Sequence, residues 1–350
     1  MASSPAVSGA QRAGILAGGN WIVDHVKMVD RWPPQDALAN IGDQFSSNGG
    51  SPYNLLKDLA RLGARYPLEA VGLVGDDEAG KFIRDDCEKH AIDVAQLRVT
   101  QAKPTSYTDV MTDQGTGRRT FFHCRGANAE LGPEHFDFAA SRARVFHLGY
   151  LLLLDKLDAE VTDGAGGRSN AAAELLRAAR ASGMKTSVDV VSENSERFAR
   201  VVRPVLPFVD YCFLNEFELA QVTGIPTSKD GRIERSAIER AAAQLFESGL
   251  TGQVFVHFPA AVFSCNAQGE KVWQSALNVP ASFIRGAAGA GDAFASGVMH
   301  GLHEGWSVDR CLRLGVCTAA ASLAHPTCSE GVKSAEECLA LADRFGFAAA

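Results

Sequence analysis

Short apolar runs alternate along this chain with segments whose apolar residues recur every three or four positions. That is the pattern of strands alternating with amphipathic helices. Gly14-Ile-Leu-Ala-Gly18 predicts a first strand that ends in glycine. Leu55, Leu56, Leu59 and Leu62 share one face of a helix over 51–62, and Gly63 supplies its stop. A strand over 68–74 and a helix over 76–89 follow. The alternation resumes with a strand at 144–152, a helix at 170–182, strands at 185–191 and 211–214, a helix at 236–247 and a strand at 253–258. Such an order predicts an α/β fold, a mainly parallel sheet with helices on both faces.

Two stretches break this rhythm. Residues 21–45 are rich in Pro and Asp. In residues 105–124, Tyr107, Asp109 and Met111 alternate onto one face, and Arg119, Phe121 and His123 do so beyond the turn Asp113-Gln-Gly-Thr-Gly117, which is a hairpin pattern. Both are inserted between helical units, so together they predict a small β-sheet flap, with lid segments at about 21–45 and 103–125. A half-exposed sheet of this kind needs its apolar face covered, by substrate or by a partner subunit.

Composition narrows the classes. The chain has 350 residues, 34 Lys+Arg against 41 Asp+Glu, and 46% hydrophobic residues. This is the balance of a folded protein, and it excludes wholesale disorder. A net charge of −7 argues against a general nucleic-acid binder, whose affinity comes from basic residues on phosphates. It leaves the binding of a single nucleotide open. The 8 cysteines form no CxxC pair and mostly sit in apolar runs, as reduced cytoplasmic thiols do. Residues 1–13 read as a disordered tail before one domain over 14–350. Met1 to Gln11 lacks a basic segment and a long apolar core, and Leu148 to Leu154 is too short to span a bilayer, so no membrane partner is expected and the localisation read is cytoplasmic.

The chemistry concentrates in Gly286-Ala-Ala-Gly-Ala-Gly-Asp-Ala-Phe-Ala-Ser-Gly297. Phe294, Val298 and Leu302 recur every four residues, so a helix begins near Asp292 directly after a glycine turn. Free N–H groups and the positive end of a helix dipole make such a turn an anion site. An Asp in that first turn either caps the helix or takes a proton from an incoming hydroxyl. The run lacks the Lys-Ser/Thr of a Walker A loop and the acidic residue of a Rossmann fingerprint. Other candidates carry equally plain structural readings. Gly49-Gly50 reads as a loop before a helix, Asp24 as a strand end, Asn215 and Glu218 as a capping pair, and His123 and His147 as core or turn residues. Asp189 lies near a strand's carboxyl end, where open α/β sheets bind ligands.

Gly-Ala-Gly-Asp-Ala-Phe followed by Gly297 resembles the C-terminal signature of the ribokinase-like, or PfkB, family of carbohydrate kinases. Gly49-Gly-Ser-Pro-Tyr-Asn54 with Leu59-Ala-Arg-Leu-Gly63, the run Val71–Gly80, and Leu214-Asn-Glu-Phe-Glu218 resemble three further family motifs, in the family's order. The resemblance implies a three-layer αβα sandwich with a lid. The implied activity is an ATP- and Mg²⁺-dependent sugar kinase. It assigns Asp292 as general base and Gly289, Ala290 and Gly291 as the anion hole. Asp24, Gly49, Gly50, Asn54 and Asn128 would bind the sugar. Asn215, Glu218 and Asp189 would sit on the nucleotide side, with Glu218 reaching the metal through water. It also implies a homodimer through the lid, in which Tyr107, Asp109, Arg119 and His123 are candidate substrate contacts.

The chain departs from that family twice. Gly286-Ala287-Ala288 replaces an Asp-Thr-Thr run whose oxygens bind an activating monovalent cation, so weak or absent potassium dependence is expected. His257 and Pro259 replace a Thr-x-Gly turn beside the nucleotide base. Two other readings stay open, a nucleoside kinase of the same fold and a non-catalytic sugar- or nucleotide-binding protein.

Overall fold

The computed structural model describes residues 12–162 and 166–349. The tail expected over 1–13 lies largely outside them. Its last two residues are tied down, the Arg12 guanidinium to the carbonyls of Ser141 and Ala143 and the Ala13 N–H to Arg142.

The strands and helices that carry the argument are, in order, β1 (Ile15–Gly19), β2 (Ile22–Val29), β3 (Ile41–Gly49), α1 (Ser51–Leu62), β4 (Leu68–Gly75), α2 (Glu78–Lys89), β5 (Asp93–Thr100), β6 (Ser106–Asp113), β7 (Arg119–Cys124) and β8 (Val145–Leu151). Then come α3 (Ala171–Ala181), β9 (Lys185–Val190), β10 (Tyr211–Asn215), α4 (Glu216–Thr223), α5 (Arg235–Glu247), β11 (Gln253–Phe258), β12 (Ala261–Asn266), β13 (Lys271–Ser275), α6 (Ala290–His303), α7 (Val308–Ser322) and α8 (Ala335–Phe345). The main sheet runs β13-β12-β11-β10-β9-β8-β1-β4-β5. It is parallel from β5 to β11, and β12 and β13 extend it antiparallel.

The strand register sorts the core into two layers. Leu16 packs with Phe146, Leu148, Leu175, Leu176 and Ile238 on the α3–α5 side. Ile15 and Ala17, pointing the other way, pack with Leu55, Leu56, Leu59, Phe294 and Leu314 on the α1, α6 and α7 side. Three layers result, as the alternation predicts. Two edge features were absent from that expectation, β5 and the antiparallel pair β12–β13. None of these strands precedes a helix in the way the βα rhythm requires.

The second sheet is the lid, ordered β3-β2-β6-β7. Its strands are longer than the Pro- and Asp-rich sequence suggests, and β3 runs on to Gly49. Gly49 is therefore the last residue of a strand, not part of a free loop. Gly50 follows with φ 85°, and a Cβ there would lie 2.0 Å from the Asn20 carbonyl oxygen. Only glycine makes that turn from the lid into α1 without a clash. Helix α1 then lies under the lid and against α6, which leaves even Lys57 and Asp58 buried.

Candidate active site

Asp292 stands in the first turn of α6. The turn before it depends on Gly289, which has φ 71° and leaves room for Cys328; a Cβ would sit 2.6 Å from the Cys328 Cβ. Ala290 N–H reaches the Ala287 carbonyl at 3.4 Å, and Ala293 N–H bonds Gly289 at 2.8 Å. Among the described residues, the N–H groups of Gly289, Gly291 and Asp292 meet no protein acceptor. They converge at a helix N-terminus, where an anion is favoured. The Asp292 side chain does not cap its own helix.

The Asp292 carboxylate instead receives bonds from outside its helix. Asn54 Nδ2 donates to Oδ2 at 2.7 Å, and the Tyr150 hydroxyl lies 2.8 Å from both oxygens. Asp189 shares a hydrogen bond with it. Burial pushes the Asp292 carboxyl up to about 6, against the pull of those three bonds. Asp189 is pushed well above the usual carboxylate range by burial and by the charges of Asp292 and Glu218. The upward push is the stronger at Asp189, so Asp292 is the more acidic member of this coupled pair.

The other predicted residues divide between two sides of this carboxylate. On the lid side, Asp24 extends from β2 toward Cys328, whose thiol lies 3.8 Å from Oδ2. Burial raises Asp24 to about 7, with Asp292 adding to the effect and a Thr108 hydroxyl opposing it. Gly49 is glycine because Asp24 occupies its side-chain space; a Cβ would lie 2.4 Å from Oδ1. Asn54 is held by Asn48, whose Nδ2 donates to Asn54 Oδ1 at 2.6 Å and to Ser329 at 2.9 Å. Asn128 has a different task. Both ends of its amide are committed to the Trp21 backbone at 3.2 Å, so it anchors the start of β2.

The lid candidates separate by strand alternation. Thr108 and His123 are cross-strand partners of Asp24 and share its face. Tyr107 and Asp109 point the opposite way. Tyr107 packs against His25, and Asp109 pairs with Lys27, so these two belong to the outer face and not to the pocket. A one-residue step decides the matter, because side chains alternate along a strand.

On the opposite side of α6, Asn215 and Glu218 form a reciprocal capping box at the start of α4. Each side chain accepts the other's backbone N–H at 2.8 Å. Ser192 donates to Glu218 Oε1 at 2.7 Å, and burial raises Glu218 to about 7. The capping reading is thus what the structure contains, and it also fixes Glu218 toward Asp189 and Asp292. A cavity of about 540 Å³ opens beside Gly291, walled by His257, Pro259, Val279, Ala287, Phe294 and Leu323. His257 is held neutral, pushed down to about 4 by burial. The two residues that depart from the family pattern, His257 and Pro259, are therefore both cavity walls.

The three acids suit a hard cation. Asp189, Glu218 and Asp292 act on one another electrostatically, and among the described residues no lysine or arginine forms an ion pair with any of them. No three His, Cys, Asp or Glu side chains among the described residues come close enough to cage an ion. The donor set fits a magnesium ion held largely through water and phosphate oxygens. Tyr150, Asn48 and the Cys328–Ser329 loop are site residues that the sequence motifs did not reveal. Tyr150 had a usable signal, since it follows Gly149 at the carboxyl end of β8.

This fold and this site define a phosphotransferase of the αβα type. A family model, described as pfkB family carbohydrate kinase, matches residues 15–335, and the chain belongs to that family. It is 28% identical over 300 residues to ribokinase of Arabidopsis thaliana, covering 84% of this chain and 71% of that one. The structure of Arabidopsis thaliana ribokinase complexed with ribose and ATP superposes with a TM-score of 0.76 at 21% identity, covering 94% of this chain and 98% of that one. A putative ribokinase II from E. coli, in complex with ATP and Mg²⁺, superposes with a TM-score of 0.73 at 18% identity, covering 95% and 99%. Among the described residues, no helix is long and apolar enough to cross a membrane.

Proposed function

We propose that the chain transfers the γ-phosphoryl group of ATP to a hydroxyl of a small carbohydrate. The observation that carries this reading is the pairing of a buried Asp292 carboxyl, held by Asn54 and Tyr150, with the unpaired N–H groups of the turn before it. Asp292 removes the proton from the acceptor hydroxyl, and the N–H groups of Gly289 and Gly291, joined by that of Asp292, stabilise charge on the phosphoryl oxygens. Phosphoryl transfer needs positioning and charge stabilisation more than covalent chemistry. Magnesium, when bound, screens the phosphate charges. Glu218 would hold it through water, and Asn215 fixes Glu218 for that task.

The 540 Å³ cavity is mostly apolar and suits the nucleotide base. Asp24, Asn54 and the Gly49–Gly50 turn suit a polyol, which offers hydroxyls and little apolar area. The lid excludes water that would otherwise hydrolyse ATP. Phe121, exposed on the inner lid face, is the one feature that favours a nucleoside acceptor, since it offers a stacking surface.

ADP release with a panel of pentoses, hexoses, sugar acids, sugar phosphates and nucleosides identifies the acceptor. Asp292→Asn then lowers turnover by about 100- to 10,000-fold while ATP and acceptor still bind. Unchanged turnover removes Asp292 from the role of base.

A further inference from the structure

The inner face of the lid carries two polar groups that the reaction above does not use. Arg119 Nη1 and His123 Nε2 are both buried, and neither has a hydrogen-bond partner. They lie on β7, four residues apart and on the same face, because Arg119 opposes Thr112 and His123 opposes Thr108. Arg119 acts electrostatically on Asp24 and Cys328, so its guanidinium reaches back along the lid toward the acceptor side of Asp292. No ion pair of 4 Å or less joins it to Asp24 among the described residues. A buried, unpaired donor is costly, and a buried cation more so.

His123 Nδ1 lies 3.0 Å from the hydroxyl of Thr108, the cross-strand neighbour of Asp24. That contact leaves Nε2 free, and a sugar hydroxyl, which both donates and accepts, pairs with a ring nitrogen in either tautomer. Arg119 offers only donors in a planar fork, which suits a carboxylate or a phosphate. Asp24 accepts further hydroxyls. These three groups together describe a ligand with several hydroxyls and one anionic end.

We infer that the acceptor is a polyhydroxy acid or a sugar phosphate, and that Arg119 binds its anionic group at the lid end of the pocket. This rests on the kinase reading above and narrows its substrate class. The shared chemistry is a negatively charged oxygen group opposite the hydroxyl to be phosphorylated. The free Nε2 of His123 pairs with a neighbouring hydroxyl of the same ligand.

Matched acceptors test it: neutral sugars, the aldonic, uronic and keto-acids derived from them, and their monophosphates. Each is assayed by ADP release, and by calorimetric binding in the presence of a non-hydrolysable ATP analogue. The expectation is that one acidic class binds and turns over at least tenfold better than its neutral parent. Preference for the acid series over the phosphate series, or the reverse, identifies the anion. Arg119→Gln should lower kcat/KM for the acidic acceptor by roughly 10- to 100-fold, mostly through KM, as expected for the loss of a charge-assisted bond. Arg119→Lys should restore part of the loss, which a merely structural role for the side chain would not predict. A neutral acceptor that is preferred, and whose turnover is abolished by Asp292→Asn yet unaffected by Arg119→Gln, overturns this inference and leaves the kinase reading intact. Equal binding of acidic and neutral members by the wild-type protein overturns it as well, whether or not any of them is phosphorylated.

Discussion

As the proposed base, Asp292 must be ionised to accept a proton, yet it is buried, and the two demands meet in its hydrogen bonds. Asn54, Tyr150 and Asp189 all favour the charged form, and together they limit the upward push of burial to a value of about 6. Activity should therefore rise with pH through about 6 and level off above it. Stability runs the other way. A carboxyl raised from 3.8 in the unfolded chain to about 6 in the fold binds its proton more tightly when native. Its contribution is fully present below the unfolded value and is lost as pH rises through the folded one. Tyr150→Phe removes one bond to the charged form. Its kcat/KM profile should keep its shape while its acidic limb moves to higher pH, and an unmoved limb would mean that Tyr150 only fills space. At this scale the sequence was informative where a residue type has few uses. A Gly-Ala-Gly-Asp turn ahead of a helical repeat pointed to Asp292. Asn48 and Ser329 were silent, because their value comes from meeting each other across 281 positions of chain.

Elements show where one-dimensional reading loses its grip. The hairpin in the lid was legible from its alternation and its turn, yet the same alternation did not say which face looks inward. Tyr107 and Asp109 lie outside, and Thr108, Arg119 and His123 inside, because the pairing with β2 sets the face. The outer face leaves Trp32 stacked on Phe122 at 6.4 Å, with both half exposed and Leu38 and Ile41 exposed nearby. Apolar area of this kind on a lid calls for a cover. A second copy of the chain supplies it in our reading, lid against lid. Sedimentation should then report a dimer, and Phe122→Asp should convert it to a folded monomer. A wild-type protein that sediments as a monomer at micromolar concentration would end that idea. The pair β12–β13 has no helix before either strand to announce it, and β5, though it follows α2, carries exposed polar residues in a strand that runs straight on into the lid.

For the molecule as a whole, the alternating strands and helices were enough to anticipate three layers, because apolar residues on both sides of a parallel sheet leave no other way to exclude water. What the whole does not inherit from its relatives is local. The turn 286–288 is Gly-Ala-Ala and offers no side-chain oxygen, and its Gly286 N–H is turned toward the Leu323 carbonyl. Turnover should be the same in potassium as in tetramethylammonium, measured at constant ionic strength. A marked acceleration by potassium would show that main-chain carbonyls alone make a cation site.

The two carboxylates that face the acceptor in our proposal do not ride on the same body. Asp24 is carried by the lid and Asp292 by a helix packed against the main sheet, with Gly49 and Gly50 as the joint between them. The gap between these acids is thus a property of how far one body leans over the other. In the proposed mechanism, a molecule too short to touch both would leave the roof ajar and the donor's last phosphate open to solvent. A stiffer joint would then change which guests are accepted without altering a single contact residue.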